Sequence, residues 1–312
     1  NIAHMKDLWV EKYRPKTLKE YVVRDEEQRK QIQSWIDEKS IPHLLLSGAP
    51  GVGKTTLAKM LFHELDVSSY DILEINASRE NSVDTVREKI NNFVQIMPFG
   101  AYKYVLLDEA DYMSPNGQAA LRGVMEAYHT SARFILTCNY PNRVIPALHS
   151  RCQGFHMETI DKTEFTARVA EILIAEKVDQ DIDTLDTYVK ASYPDLRKCI
   201  NMVQQNVRDG KLMPPAKGDS GQQDYRLEMV ELFKQGKIQE ARKLVCAQAR
   251  PEECEEIYRW LYDNLELVSK DEDQQDKAVL IIKQALVDHS FVADPEINLA
   301  SCMIKLARLS NG

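Results

Sequence analysis

One short segment of this chain has the residue types and spacing that bind the phosphates of a nucleotide. Residues 48–55 read GAPGVGKT and lie between the apolar run Leu44–Leu46 and a helical pattern. Glycines let backbone N–H groups curl around phosphate oxygens, Lys54 adds a positive charge, and the hydroxyl of Thr55 suits Mg²⁺. The partly positive N-terminus of the following helix favours the same anion. The predicted nucleotide contacts in this phosphate loop are Gly48, Pro50, Gly51, Val52, Gly53, Lys54, Thr55 and Thr56.

Two adjacent carboxylates, Asp108 and Glu109, follow the apolar run Tyr104–Leu107. A strand beside the phosphate loop would place Asp108 where it orients Mg²⁺ together with Thr55. Glu109 would then polarise the attacking water. Such a pair is by itself equally typical of a solvated turn, but in combination with Lys54 and Thr55 it predicts nucleotide hydrolysis.

Three further polar residues are candidates for contact with the transferred phosphate. Asn139 follows the apolar run Phe134–Thr137 and either holds the water or the γ-phosphate or is simply a turn asparagine. Arg151 either caps a helix or pairs with an acid, or it supplies in trans the second cation that the transition state requires. Arg197 begins an amphipathic helix from which it could contact the nucleotide.

The elements that must position these side chains alternate strand and helix over the first 160 residues, which predicts an α/β core with a mostly parallel sheet. Predicted strands are 44–46, 72–75, 104–107, 134–137 and 154–157, and predicted helices follow Lys54, Ser82 and Asn116. After Thr159 the strand signals vanish and the apolar spacing is helical. Residues 211–223 are rich in Pro, Gly and polar residues, as in a linker. The predicted domains are a core at 1–160, a small helical domain at 161–212, a linker at 213–224 and a second helical domain at 225–312.

Composition and charge limit the function classes. The 312 residues have an ordinary globular composition, no signal-peptide pattern and no apolar run long enough for a membrane helix. The six cysteines are scattered, which favours reduced thiols in the cytoplasm. The net charge of −8 is uneven, because residues 1–160 carry 19 Lys and Arg against 20 Asp and Glu, and residues 161–312 carry 21 against 28. Broad DNA binding by a monomer is disfavoured, whereas a local basic lining in the first half is possible. We expect the four residues before Met5 to be a cloning remnant.

Six motifs occur in an order that resembles the clamp-loader ATPase subunits, namely the replication factor C small subunits and their counterparts in T4-like phages. They are WVEKYRP at 9–15, GAPGVGKT at 48–55, NAS at 76–78, DEAD at 108–111, CNY at 138–140 and SRC at 150–152. The resemblance covers residues 6–210. It implies an AAA+ core, a small helical lid domain and a C-terminal helical collar that holds subunits together. Pro194 and the segment Met125–Tyr128 resemble the phage branch of this family. The DEAD string at 108–111 resembles the cellular branch. Together these features favour the phage branch.

The resemblance also implies roles for matching residues, with ATP and Mg²⁺ as ligands. The residues implied beside the adenine are Tyr13, Arg14, Pro15, Val22 and Val23. Val23 departs from the cellular pattern, which has glycine there. Asn139 is implied as the first sensor of the γ-phosphate and Arg197 as the second. Arg151 is implied as the finger that acts on the ATP of the neighbouring subunit.

A DNA contact is predicted where a helix begins after the second strand. Arg79, Asn81 and Ser82 would meet a phosphate at the helix N-terminus, a mode that suits DNA of any sequence. The alternative is a capped helix with a surface arginine. Arg122 is a further candidate for the same strand.

An apolar cluster precedes the acidic strand. Ile96, Met97 and Phe99 lie in a loop with Pro98 and Gly100, where they either pack into the core or form an exposed plug for a partner. The resemblance implies that this partner is the sliding clamp.

These features together predict an ATPase subunit of a homo- or hetero-pentameric loader. It would assemble with other subunits, the sliding clamp and primer-template DNA when it binds ATP, and release the loaded clamp on hydrolysis. The alternatives are another DNA-remodelling AAA+ ATPase and a subunit that binds ATP without hydrolysing it. A DEAD-type helicase would need a second α/β motor domain, and a protein-remodelling ring would need an aromatic pore loop near residues 77–83, where the chain has Arg79 and Asn81.

Overall fold

The computed structural model describes residues 7–21, 23, 25–79, 83–215 and 224–310. These residues form two compact units, one of 7–164 with 194–198 and one of 165–193 with 199–310. The predicted contacts Val22, Asn81 and Ser82, the residues before Met5 and most of the predicted linker lie outside the described ranges. Among the described helices, none combines the length and hydropathy needed to cross a bilayer.

A five-stranded parallel sheet forms the centre of the first unit. Its strands are β1 (Leu44–Ser47), β2 (Ile72–Asn76), β3 (Lys103–Asp108), β4 (Ala132–Cys138) and β5 (Gln153–His156), in the order β2-β3-β4-β1-β5. The central strands are apolar and buried because helices cover both faces of such a sheet. Since β4 lies between β1 and β3, the residues that follow these three strands meet at one edge.

The helices of the first unit, apart from the short first one, pack their apolar residues against this sheet in two buried clusters. They are α1 (Trp9–Lys12), α2 (Glu26–Glu38), α3 (Lys54–Glu64), α4 (Val83–Val94), α5 (Pro115–Ala127) and α6 (Pro146–Arg151). Helix α5 begins one residue before Asn116, because the Ser114 hydroxyl accepts a hydrogen bond from the Gly117 N–H and Pro115 fits the first helical position.

The second unit is largely helical. After α7 (Lys162–Ala175), whose first turn belongs to the first unit, its helices are α8 (Ile182–Ser192), α9 (Leu196–Gln205), α10 (Tyr225–Lys234), α11 (Ile238–Gln248), α12 (Cys254–Asp263), α13 (Leu265–Val268), α14 (Glu272–His289) and α15 (Pro295–Ser310). Within this unit the Lys234 ammonium lies 2.9 Å from Asp186. The Trp260 indole N–H donates to the Lys190 carbonyl at 2.7 Å. The boundaries of separate lid and collar domains stay predictions.

The expectation that strands vanish after Thr159 was wrong in one place. Strands β6 (Val207–Arg208) and β7 (Lys211–Leu212) form a small antiparallel hairpin. Its turn is Asp209-Gly210, and both residues have positive φ, 52° and 75°. This dipeptide is a strong hairpin signal, but two-residue strands leave no periodicity to detect.

Candidate nucleotide site

The phosphate loop adopts a backbone that only glycine tolerates at its tightest point. Gly51 has φ 75°, and a Cβ at this position would overlap Asp195. Gly53 has φ 100° and is the N-cap residue of α3. The loop therefore turns sharply after β1 and aims the first N–H groups of α3 into its own concavity, as anion binding requires.

Lys54 lies in this concavity and is 8% exposed. Its ammonium donates to the Gly48 carbonyl at 2.7 Å, the Ala49 carbonyl at 2.9 Å and the Asn139 side-chain oxygen at 2.9 Å. Burial lowers the pKa of Lys54 to about 8, against the opposing effect of nearby acidic groups such as Asp111, Asp108 and Asp195. The structure thus brings Lys54 and Asn139 into direct contact, as the γ-phosphate prediction for Asn139 requires.

Asp108 joins the phosphate loop to the end of β3. Its Oδ1 accepts hydrogen bonds from the hydroxyls of Thr55 and Thr137, each at 2.9 Å. A hydroxyl and a carboxylate held this close are oxygen donors of the kind that Mg²⁺ takes alongside substrate phosphates. No cluster of three or more His, Cys, Asp and Glu that could hold a metal occurs in the described part of the chain, so any ion here needs such additional oxygens. Thr55 and Asp108 fit the predicted ion.

Glu109 occupies an unusual backbone conformation beside Asp108. It has φ 57° and ψ 45°, in the left-handed region, which costs a non-glycine residue about 1–3 kcal/mol. Its N–H donates to the Thr137 hydroxyl at 3.0 Å. Backbone strain of this kind is common at functional sites, because it orients a side chain in a direction that regular secondary structure does not give. Here it turns the chain sharply between Asp108 and the 3-10 helix Ala110–Tyr112.

Asp111 fixes the segment that carries Asn139. Its Oδ2 accepts the N–H groups of Asn139 at 3.2 Å and Tyr140 at 3.0 Å. The side chain is buried and its Oδ1 has no protein partner. Thr137 and Asp111 are positioning residues that the sequence prediction missed. The DEAD string contains Asp111, but as a family motif it does not indicate that Asp111 holds the backbone of Asn139.

Arg151 ends α6 and pairs within its own chain with α5. Its guanidinium lies 2.6 Å from Oε1 of Glu126, and the same oxygen is 3.1 Å from Nε of Arg122. The hydrogen bond from Arg151, first, and the two positive charges hold the pKa of Glu126 below its ordinary value. Arg151 stays 39% exposed, which a residue acting on a neighbouring subunit requires. Sequence reasoning missed Glu126, because a contact between α5 and α6 leaves no local pattern.

Residues from the N-terminal segment lie beside the phosphate loop. The Tyr21 hydroxyl donates to the Gly53 carbonyl at 3.4 Å, and Val23 packs against the same core cluster as Val52. Tyr13 is half-buried at the end of α1. Arg14 pairs with Glu11 at 3.0 Å. Tyr21 is an additional residue beside the phosphate loop that sequence reasoning missed. Contacts of Tyr13, Arg14, Pro15 and Val23 with the adenine stay predictions.

Arg197 is exposed in the first turn of α9, and Asp195 abuts Gly51. The Asp195 carboxylate also accepts the Lys198 N–H at 3.0 Å and so caps this helix. The start of α9 therefore adjoins the phosphate loop through Asp195, while a contact of Arg197 with nucleotide stays a prediction.

The predicted partner surfaces are partly described. Arg79 is exposed in the turn after β2, and Arg122 is exposed on α5. Ile96, Met97 and Phe99 all point to solvent, whereas Phe93 packs on the core. The structure thus resolves the alternative for the apolar loop in favour of exposure. Its partner stays a prediction.

Comparison with known proteins places this site in a class. Residues 44–159 match the model of the ATPase family associated with various cellular activities (AAA). This stretch contains the phosphate loop, Asp108, Glu109, Asn139 and Arg151, so the class defined by fold and site is that of the AAA ATPases.

Similarity over the longer chain narrows the class to one family. The replication factor C small subunit of Methanococcus vannielii is 36% identical, over 77% of this chain and 78% of that relative. The Archaeoglobus fulgidus replication factor C small subunit is 37% identical, over 77% of each chain. The chain belongs to the family of replication factor C small subunits. The predicted family and fold class are confirmed.

A solved structure supports the fold independently. The Thermotoga maritima RuvB Holliday junction branch migration motor aligns with a TM-score of 0.52 over 71% of this chain and 73% of that one. At 16% sequence identity this likeness concerns the fold alone.

Proposed function

We propose that this protein is an ATPase subunit of a sliding-clamp loader, in which ATP binding drives assembly with the clamp and primer-template DNA and hydrolysis releases the loaded clamp. The observation that carries the proposal is the meeting of Lys54, Thr55, Asp108 and Asn139 through hydrogen bonds of 2.9 Å at one sheet edge. It occurs in a chain that belongs to the replication factor C small subunits. No alternative class of protein accounts for both this site geometry and this family membership.

ATP binding requires Lys54 to exchange its partners. Its ammonium donates hydrogen bonds to two loop carbonyls and to the side-chain oxygen of Asn139. When the triphosphate enters, Lys54 turns to the β- and γ-phosphates, and the Asn139 amide becomes free to contact the γ-phosphate or the attacking water. Because these two side chains are 2.9 Å apart, both would reach the γ-phosphate together.

Hydrolysis depends on groups that are already oriented before ATP arrives. Mg²⁺, when bound, would neutralise phosphate charge, and Thr55 and Asp108 would hold it. Thr137 fixes both the Asp108 carboxylate and the Glu109 backbone. Glu109 then polarises the attacking water. The adenine is held by Tyr13, Arg14, Pro15, Val22 and Val23, with Tyr21 supporting the loop from the same side.

The missing cation comes from the neighbouring subunit. Among the described residues, Lys54 is the cation that donates to the carbonyls of the phosphate loop, and Arg151 pairs with Glu126. A loose transition state spreads negative charge over the γ-phosphoryl oxygens, and an arginine supplied in trans typically contributes a factor of about 10³ to 10⁵. We assign that role to Arg151 and a supporting contact to Arg197. Only the assembled complex then hydrolyses ATP efficiently.

DNA and clamp would act by completing this assembly. Arg79, Asn81, Ser82 and Arg122 would follow one DNA strand by its phosphates, without reading its bases. The exposed Ile96, Met97 and Phe99 would bind the clamp. The complex would work in the cytoplasm, which is supported by the absence of a disulfide among the six cysteines, all of them described residues. A phage source, suggested by Pro194, also stays part of this proposal.

The proposal is tested by the ATPase rate of the assembled complex, measured with and without primer-template DNA and clamp. We expect a low rate alone and a strong increase when both are present. Lys54→Ala serves as the hydrolysis-dead control, and unprimed single-stranded DNA as the substrate control. A rate that neither DNA nor clamp changes, in every subunit combination, would contradict the loader function while leaving the AAA class intact.

A further inference from the structure

Four large apolar side chains form one exposed surface on the first unit. Tyr70 is 73% exposed, Ile96 60%, Met97 85% and Phe99 76%, and the rings of Tyr70 and Phe99 are 5.5 Å apart. We call these four residues the apolar patch. Tyr70 belongs to the 3-10 helix before β2, so the patch joins two segments that are distant in sequence. The cost of exposing such side chains to water points to a partner.

A buried ion pair lies directly beneath this patch. Asp71 is 1% exposed and Lys103 3%, and their charged atoms are 3.6 Å apart. The two oxygens of Asp71 are both used. Oδ1 accepts the Phe99 N–H at 3.0 Å, and Oδ2 accepts the Gly100 N–H at 2.9 Å. We call Asp71 and Lys103 the anchor pair, because Asp71 binds the backbone of the loop that carries the patch.

Lys103 secures the other segment of the patch. Its ammonium donates to the Tyr70 carbonyl at 3.2 Å and lies 4.5 Å from the centre of the Phe93 ring. Each half of the anchor pair thus binds one half of the patch, Asp71 the loop at 96–100 and Lys103 the turn at 70. A buried ion pair seldom adds net stability over apolar residues of the same volume, so its value lies in fixing geometry.

We propose that Asp71 and Lys103 are positioning residues that hold the apolar patch preformed for an apolar pocket on the sliding clamp, and that Tyr70 is its fourth contact. The inference rests on the proposed function and deepens it. None of the four side chains of the patch carries a charge, and the two charges of the anchor pair that holds it are buried. A surface without a cation does not bind a phosphate backbone, so the occupant is an uncharged protein pocket rather than DNA.

Preformation affects binding in a way that can be measured. A loop that populates several conformations loses affinity in proportion to the fraction that is competent to bind. The anchor pair removes this loss by fixing the loop through two backbone hydrogen bonds. Since the contacts themselves are apolar, affinity for the clamp should change little with salt, in contrast to the binding of DNA.

The test measures the affinity of labelled clamp for the ATP-loaded complex carrying four variants. Tyr70→Ala removes the proposed contact. The double variant Asp71→Asn with Lys103→Met removes both buried charges together and leaves only one oxygen for two N–H groups. Phe99→Ala is the reference for the patch itself, and Ile182→Ala, at an 82% exposed residue of α8, is the control. We expect roughly tenfold weaker binding for the first three and less than a twofold change for the control.

Hydrogen exchange separates positioning from general stability. In the wild type the Phe99 and Gly100 amides should be protected before any clamp is added. In the double variant they should exchange faster while β3 and β4 keep their protection. If the Phe99 and Gly100 amides are unprotected in the wild type, the proposal is overturned. This result does not depend on whether the double variant folds.

The outcomes distinguish this inference from the function on which it rests. If Phe99→Ala weakens clamp binding and neither Tyr70→Ala nor the double variant does, the anchor and the fourth contact are wrong and clamp docking at the loop stands. If none of the three weakens clamp binding, docking at this loop is itself wrong. A loss of subunit assembly in place of clamp binding would mean that a second copy of the chain covers the patch, which also overturns the proposal.

Discussion

The affinity for ATP should fall as the pH rises from 7 to 9, because Lys54 loses its proton over this range. Burial lowers the pKa of Lys54 to about 8. A bound triphosphate favours the charged ammonium, so above pH 8 binding must first take up a proton. With a pKa of about 8 the charged fraction falls from about nine-tenths at pH 7 to about one-tenth at pH 9. The dissociation constant should rise about tenfold, or about 1.4 kcal/mol.

The assay is equilibrium titration of the subunit with a fluorescent ATP analogue at half-unit steps of pH. The last phosphate pKa is about 6, so above pH 7 the charge of the ligand changes little. The nearby Cys138 does not interfere, because burial raises the pKa of its thiol to about 11. Lys54→Arg is the matched variant, since a guanidinium stays charged and should give a flat profile. A wild-type profile that is also flat would refute the lowered pKa.

Three further changes test other parts of the account. Glu109→Gln should trap a clamp-bound, ATP-loaded complex, which is measured by the rate of clamp dissociation. Dissociation as fast as in the wild type would exclude the role of Glu109 at the attacking water. Glu126→Ala should reduce ATP turnover of the complex about two- to fivefold while the midpoint of thermal unfolding changes little, because an exposed ion pair adds little stability. Unchanged turnover would mean that Glu126 does not orient Arg151. Burial, first, and the charge of Arg133 lower the pKa of His43 to about 4. Between pH 6.5 and 4 the unfolded chain therefore binds a proton that the folded chain does not, and the free energy of unfolding should drop by about 2.5 kcal/mol. His43→Gln should remove most of this slope in denaturant titrations at pH 7 and 4.5, and an equal slope in both proteins would refute it.

Local patterns predicted the parts of the site that are contiguous in the chain. The phosphate loop, the strand ending at Asp108 and the strand before Asn139 each combine an apolar run with polar residues at its end, and parallel strands bring such ends together. The direct bond between Lys54 and Asn139 is the result of that topology. Nothing in a single sequence gives the order of the strands, yet the placement of the site depends on it.

The residues that sequence reasoning missed act across elements. Thr137 is inside an apolar strand and reads as a β-branched core residue until Asp108 is placed beside it. Glu126 and Arg151 belong to different helices, and Asp71 is far in sequence from the loop that it holds. Side chains of this kind orient the reacting groups through long-range contacts, so their role appears only when the fold is known.

The most direct test of the central claim mixes two inactive subunits, Glu109→Gln and Arg151→Ala, in one loader and measures ATP hydrolysis with clamp and primed DNA. If Arg151 acts in trans, an Arg151→Ala site beside a Glu109→Gln neighbour has every group it needs, and random mixing should restore activity at about a quarter of the sites. If Arg151 acts within its own chain, each site stays defective and the mixture remains as inactive as either variant alone.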